Sequence, residues 1–263
     1  MTTYSVGVDA RIRARTTIQF SASSTDLNFK RGVVVNTVSL PDALNRTGES
    51  AVVRVRHALT SLTTFVFSGE VLRDRFEFDA SRDATGVRVM PGLEFGRLAL
   101  ISGGLSVGFR QFRPNTPSVP QYSGLAARIN LSSVIRRNTR LAGQLDRDVA
   151  YSLNKEQPYY VQTAAIVSVT QRLGTRWDLV ASAGGQELAY RALSGATQVT
   201  AGTDLPPLDP GLLMGRTYGL SLGYLAGRGL RISLDGRSSE RRSGMADRDF
   251  TARLFGGSVT YAY

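Results

Sequence analysis

Hydrophobic and polar residues alternate one by one along much of this chain. Between 101 and 110 apolar residues recur at every second position, including Ile101, Leu105 and Phe109, while serine, glycine and Arg110 lie between them. The same pattern recurs at 53–56, 125–131 and 230–235. Successive side chains of a β-strand point to opposite faces, so the alternation predicts strands with one apolar and one polar face. Helical spacing would scatter the arginines into the apolar stripe.

Turn-forming joints divide the chain into about thirteen predicted strands of about 10–15 residues each, long enough for a tilted crossing of a bilayer. Short polar joints, such as 136–138 and 227–229, alternate with longer ones, such as 30–48 and 113–121. One long joint, Ser194–Gly215, carries Pro206, Pro207 and Pro210. Short turns at one end and long loops at the other are typical of outer-membrane barrels. The strands are predicted to begin near Tyr4, Thr17, Ser50, Leu62, Gly86, Leu98, Gln121, Thr139, Tyr159, Arg176, Arg216, Leu230 and Asp249.

These features predict an all-β fold, an antiparallel transmembrane β-barrel of about 12–14 strands that forms a single domain over residues 1–263. No apolar run approaches the roughly 18–20 residues of a membrane helix, and a soluble β-sandwich would have shorter strands. Single-chain bacterial barrels have an even number of strands. We therefore expect that an N-terminal strand is missing, although Val33–Val38 as an extra strand, or a first strand that does not cross, would also restore evenness.

The last predicted strand has an apolar row in phase with a terminal aromatic residue. Every second position contributes to it: Phe255, Gly257, Val259, Tyr261 and Tyr263. This row resembles the C-terminal signal by which the outer-membrane insertion machinery recognises its clients, and the alternative is an ordinary amphipathic edge strand. Trp177 and the pair Tyr159–Tyr160 suit the aromatic girdles of a membrane barrel.

The charge of the chain is strongly positive and almost entirely due to arginine. Lys and Arg number 32 against 21 Asp and Glu, a net charge of +11, and only Lys30 and Lys155 are lysines. The arginines are spread along the chain, whereas a nucleic-acid binder would cluster them on one patch, so we expect no nucleic-acid partner. An arginine-rich codon bias is the other explanation.

An arginine facing lipid at mid-bilayer costs roughly 2–4 kcal/mol, so mid-strand arginines are predicted to line the lumen. A cationic wall would favour anionic solutes. Alternatively, Glu70, Asp74, Glu94, Asp146 and Asp235 neutralise the arginines and leave a plugged interior. The predicted lumen-lining arginines are Arg54, Arg56, Arg88, Arg110, Arg128 and Arg231, and the predicted lumen carboxylates are Asp146, Asp148 and Asp235.

The sequence contains no recognisable catalytic set. His57 is the single histidine and is in phase with Val53 and Val55 on the predicted lipid face, and there is no cysteine. Asp146 and Asp148 could serve acid–base chemistry or bind a cation, but neutralisation of lumen arginines explains them as well. We predict no enzyme activity, no metal and no cofactor.

The order of motifs between Val53 and Leu193 resembles the outer-membrane family described as "putative β-barrel porin 2", which is associated with exopolysaccharide loci. That resemblance implies an outer-membrane channel or secretion component of a Gram-negative bacterium. The alternative is a non-conducting barrel that anchors surface loops as a scaffold or adhesin. Expected partners are outer-membrane lipid, the barrel-insertion machinery, and polysaccharide or small anionic solutes. The resembling segments are Arg75–Phe76, Ser81–Asp83, Gly92–Phe95, Ser102–Gly104, Val107–Phe112 and Arg172–Leu173 before Trp177.

Overall fold

The computed structural model describes residues 1–30, 32–35, 38–97, 99–194, 212–227, 229–243 and 249–261. Its main element is one 13-stranded antiparallel sheet in which each strand pairs with the strands of the sheet that precede and follow it along the chain. Four short elements lie outside it: the two-residue strands β3 (Val34–Val35) and β4 (Val38–Ser39), the helix α1 (Leu40–Leu44) and a 3₁₀ turn (Ala80–Arg82). The sheet consists of β1 (Thr2–Arg13), β2 (Thr16–Leu27), β5 (Arg46–Ala58), β6 (Thr63–Phe76), β7 (Ala84–Phe95), β8 (Ile101–Pro114), β9 (Tyr122–Ile135), β10 (Thr139–Tyr151), β11 (Tyr159–Leu173), β12 (Trp177–Arg191), β13 (Leu212–Leu225), β14 (Leu230–Ser243) and β15 (Phe250–Tyr261).

The predicted fold class is confirmed, and the 13 strands fall within the predicted range. β3 and β4 form a separate two-stranded sheet, so the segment Val33–Val38 does not supply a fourteenth strand of the main sheet. β1 and β15 form the two edges of that sheet, and the described residues give no pairing between them. None of the helices in the described ranges is long and apolar enough to span a bilayer.

The sheet is curved, and its concave side is the polar one. Arg88 on β7 contacts Asp148 on β10, although three strand spacings would separate them by about 14 Å in a flat sheet. Only a concave surface brings such side chains together, and we call it the inner face. The opposite, outer face carries the apolar residues of the same strands: Val53, Phe67, Val71, Phe109 and Leu125 expose 41–58% of their surface there, as expected for a lipid-facing wall.

The strand connections define two ends. Connections of two to five residues lie at one end, which we call the short-turn end, and those of six or more residues lie at the other, which we call the long-loop end. The proline-bearing segment of the predicted loop Ser194–Gly215, with Pro206, Pro207 and Pro210, lies outside the described residues. At the long-loop end a buried cluster fills the inner side of the sheet, with Ala84, Phe112, Val119, Tyr122, Tyr159 and Val161 at its centre.

Candidate functional site

A buried charge network crosses the inner face near the long-loop end. The strand register aligns Glu70 with Arg88 and Arg88 with Arg110 on adjacent strands. Arg88 donates to Glu70 through Nε at 2.9 Å and to Asp148 through Nη1. The Nε of Arg110 lies 3.6 Å from Asp148, and only 5% of Arg110 is exposed. Two carboxylates and two guanidiniums therefore neutralise each other in a packed part of the interior.

Three further ion pairs lie towards the middle and the short-turn end. Arg56 pairs with Glu94 at 2.5 Å, and Arg128 lies 3.4 Å from Asp146. Both pairs are about half-exposed, with side-chain exposures of 48% and 41% for the first and 62% and 50% for the second. Arg231 donates to both oxygens of Asp178 at 2.5 and 2.9 Å. The pairs of Arg56 and Arg128 border open space, unlike the network around Arg88, whereas Asp178 is 13% exposed and is largely covered.

The six predicted lumen arginines all lie on the inner face, but they do not form one ring. Arg88 and Arg110 belong to the buried network, while Arg54 donates to the side-chain oxygen of Gln19 at 3.3 Å. Asp235 does not pair with its strand neighbour Arg231 but accepts hydrogen bonds from Ser233 at 3.1 Å and Ser258 at 3.3 Å. An anion preference of these arginines stays a prediction.

Arg82 clamps three loop segments together at the long-loop end, a role that the sequence did not reveal. It is 3% exposed, and it donates to the carbonyl oxygens of Ala43 at 2.7 Å, Pro158 at 2.8 Å and Ser152. Its guanidinium lies 5.0 Å from the ring centre of Phe76. Burial lowers the pKa of Arg82, with nearby Asp79 acting in the opposite direction. Burying a charge is unfavourable unless it is hydrogen-bonded, and the three carbonyl oxygens supply those bonds. Arg82 thereby ties its own connection, 77–83, to α1 and to the loop 152–158, and we call these three segments the cap.

Aromatic side chains fill the space beneath this cap. The ring centres of Phe76 and Tyr151 lie 4.8 Å apart, and Phe112 lies 4.8 Å from Tyr159. The Tyr151 hydroxyl donates to Asp74 at 2.9 Å, and the Tyr159 hydroxyl donates to the carbonyl oxygen of Pro120 at 2.7 Å. The placement of Tyr159 in an interfacial girdle was wrong, because this residue is 1% exposed and belongs to the interior cluster.

A change of phase explains the error at Tyr159. The pairing of β9 with β10 stops at Arg147 and Ala127, and the backbone N–H of Val149 bonds to the side chain of Asp148. Up to Asp148 the even-numbered residues of β10, Asp146 and Asp148, face inwards. Beyond Asp148 the odd-numbered Val149 and Tyr151 face inwards instead and pack against the interior cluster that contains Tyr159. Strict alternation does not predict such an irregularity.

The inner face is lined differently near the two edges of the sheet. Glycine, serine and threonine dominate the inward positions of β1, β2, β13 and β15, whereas β14 alternates serines with charged residues there. Ser23 hydrogen-bonds Ser50 at 2.9 Å across the inner surface. Small side chains there leave space that the aromatic cluster occupies elsewhere. The inward small residues include Ser5, Gly7, Ser21, Ser23, Thr217, Gly219, Ser221, Gly223, Ser233, Gly256, Ser258 and Thr260.

The predicted insertion signal lies on the outer face of β15. Phe255, Val259 and Tyr261 expose 81%, 69% and 60% of their surface there, and Tyr263 lies outside the described residues. Their role in insertion stays a prediction. His57 hydrogen-bonds Thr16 at 2.9 Å, and the part of the chain that the structure describes contains no group of three or more His, Cys, Asp or Glu residues placed to hold a metal.

The fold and its two faces define a class: an antiparallel transmembrane β-barrel protein with an apolar outer wall and a polar, arginine-bearing interior. The model of the family described as "Putative beta-barrel porin 2" matches residues 1–263, so the chain belongs to this family. No curated protein matches the chain.

Proposed function

We propose that this protein is a porin-like channel of a bacterial outer membrane that passes small anionic solutes or an anionic exopolysaccharide. Membership of the porin family supports the general class. The long-loop end would face the exterior and the short-turn end the periplasm, as in other outer-membrane barrels. Insertion would use the row of Phe255, Val259 and Tyr261 on the edge strand.

Open space along the inner face is the observation that carries the proposal. Arg128 and Asp146 lie in the middle of their strands and form an ion pair, yet their side chains are 62% and 50% exposed. A plugged interior would bury mid-strand side chains to the degree of Arg110, whose side chain is 6% exposed. The small inward residues of β13 and β15 extend this space. A solute path therefore fits beside the packed network and not through it.

Arginines without carboxylate partners supply the anion preference. Arg54 bonds the neutral Gln19 at 3.3 Å, and Arg140 donates to the hydroxyl of Ser132 at 3.2 Å. Among the described residues neither forms a salt bridge, so their positive charges act on the space in front of them. Such fixed charges raise the local concentration of anions in a narrow passage.

Reversal potentials in planar bilayers test this proposal. A salt gradient across a bilayer containing the wild-type protein is expected to give an anion-selective current, and Arg128→Glu is expected to move the reversal potential towards cation selectivity. The matched control is Arg216→Glu on the outer face, which makes the same change of charge away from the path. If both variants keep the wild-type selectivity, Arg128 does not line the conducting path.

A second candidate is a non-conducting barrel that displays its loops, and the cap is the observation that favours it. Arg82 holds α1 and the loop 152–158 together at the long-loop end, against the ring of Phe76, which packs on Tyr151. Near-zero conductance of correctly folded protein, together with unchanged conductance after removal of the Arg82 clamp, would favour the scaffold over the channel.

A further inference from the structure

An apolar groove runs along the outer face near the first edge of the sheet. It begins near the long-loop end as a space of about 540 Å³ between β1, β2, β5 and β6. It continues towards the middle of the wall as a second space of about 560 Å³ that shares Val6, Ala22 and Val71 with the first. Ala22, Ala51 and Gly69 form its floor, because small side chains there leave a depression between the larger neighbours.

The groove ends at a group of outward-facing arginines. Arg73 lines the part of the groove nearest the long-loop end. The register places Arg73 opposite Thr85 and Thr85 opposite Arg113, so the two arginines lie in one row across the sheet, two strands apart. Arg75 follows two residues later on the outer face. All three are exposed, and within the described residues none forms a salt bridge. Their charges are therefore available to a ligand.

This group lies where the apolar wall ends. Along β6 the outward residues change from Phe67 and Val71 to Arg73, and along β8 they change from Phe109 to Gln111 and Arg113. Glu49 lies opposite Arg73 at the groove, and Glu70, which also lines it, pairs with Arg88 on the inner face. A headgroup boundary at this height would place phosphates beside the arginines and acyl chains beside the groove.

We propose that the groove and Arg73 form a specific binding site for a phosphorylated lipid of the leaflet at the long-loop end. One acyl chain occupies the groove over Ala22, Ala51 and Gly69, and the phosphate accepts hydrogen bonds from Arg73 and Arg113. The distance from Arg73 to Gly69 along β6 is about 13 Å at 3.3 Å per residue, which matches about ten methylene groups. The site rests on the proposed membrane location but not on conduction.

Native mass spectrometry of the full chain in maltoside micelles tests the site. The probes are dilauroyl phosphatidic acid, dilauroyl phosphatidylcholine and inorganic phosphate. Phosphatidic acid is expected to remain bound to the wild-type protein, whereas phosphatidylcholine and inorganic phosphate are not. Arg73→Gln is expected to weaken phosphatidic acid binding about tenfold, since it removes a charge-assisted contact. Ala51→Leu, which fills the groove, is expected to weaken it by a similar factor.

Two control variants separate the site from general effects of charge and bulk. Arg97→Gln removes an exposed arginine at the short-turn end, and Ala183→Leu adds the same bulk on the outer face of β12. Both should bind phosphatidic acid like the wild type. Equal binding by all four variants, or equal retention of both lipids, would overturn the site and indicate ordinary annular lipid. A conducting protein without this selectivity would leave the proposed channel intact and refute the lipid site alone.

Discussion

The guanidinium of Arg82 donates a hydrogen bond to the carbonyl oxygen of Ala43 at 2.7 Å, joining residues 39 positions apart in the chain. The same side chain reaches the carbonyl oxygens of Ser152 and Pro158. One buried cation thus satisfies carbonyl groups from α1 and from the loop between β10 and β11. Arg82 is therefore a shared contact of the segments that form the cap at the long-loop end.

Removing the clamp should loosen the cap without unfolding the sheet. In Arg82→Ala the three carbonyl groups lose their donor, and each broken charged hydrogen bond costs about 1.5–3 kcal/mol. We expect faster protease cleavage within residues 77–83 and 152–158, and a higher conductance in planar bilayers. Arg75→Ala, which removes an exposed arginine near the end of β6 just before this connection, should leave both measurements unchanged. Identical cleavage rates in wild type and Arg82→Ala would show that the cap does not need the clamp.

The buried network around Arg88 should respond sharply to the loss of its central cation. Arg88→Met leaves Glu70 without its cationic partner and leaves Asp148 with Arg110 alone, and a broken buried pair costs about 3–5 kcal/mol. Unfolding in urea, followed by the electrophoretic shift of the folded barrel, measures the loss. The double variant Arg88→Met/Glu70→Gln should recover part of the stability, because one uncompensated carboxylate is removed. A double variant less stable than the single one would contradict this account of the network.

Close approach of β7 and β8 makes Gly108 intolerant of a side chain. A Cβ at this position would lie 1.9 Å from the carbonyl oxygen of Val89, whereas a Cβ at Gly143 would meet no atom within 4 Å. Gly108→Ala is therefore expected to lower the free energy of unfolding by about 1–3 kcal/mol, the usual cost of overpacking. Gly143→Ala, the matched control in another strand, should be neutral or slightly stabilising. Equal urea midpoints for both variants would mean that the strands separate easily at Gly108.

Strand positions and the division into two faces could be predicted from the sequence. Alternation determines both, since each apolar row can face lipid only if the intervening arginines face inwards. The strands that contain Arg54, Arg110, Arg128 and Arg231 were predicted within a few residues, and each of these arginines lies on the inner face.

The partners of these side chains could not be predicted. Arg88 meets Asp148 because the sheet curves, and curvature leaves no periodic signal in the sequence. Arg231 pairs with Asp178 from two strands away and not with Asp235 on its own strand. The inward turn of Tyr159 follows from a local irregularity in β10, and Arg82 lies in a connection where alternation says nothing about burial.

Single-channel recording of the wild-type protein in planar bilayers is the most direct test of the central claim. The open inner face between the packed network and the small residues of β13 and β15 predicts discrete conductance steps that carry more anion than cation current. The cap predicts that these steps become larger in Arg82→Ala. A folded, membrane-inserted protein that gives no steps in either form would contradict the channel and leave a closed barrel.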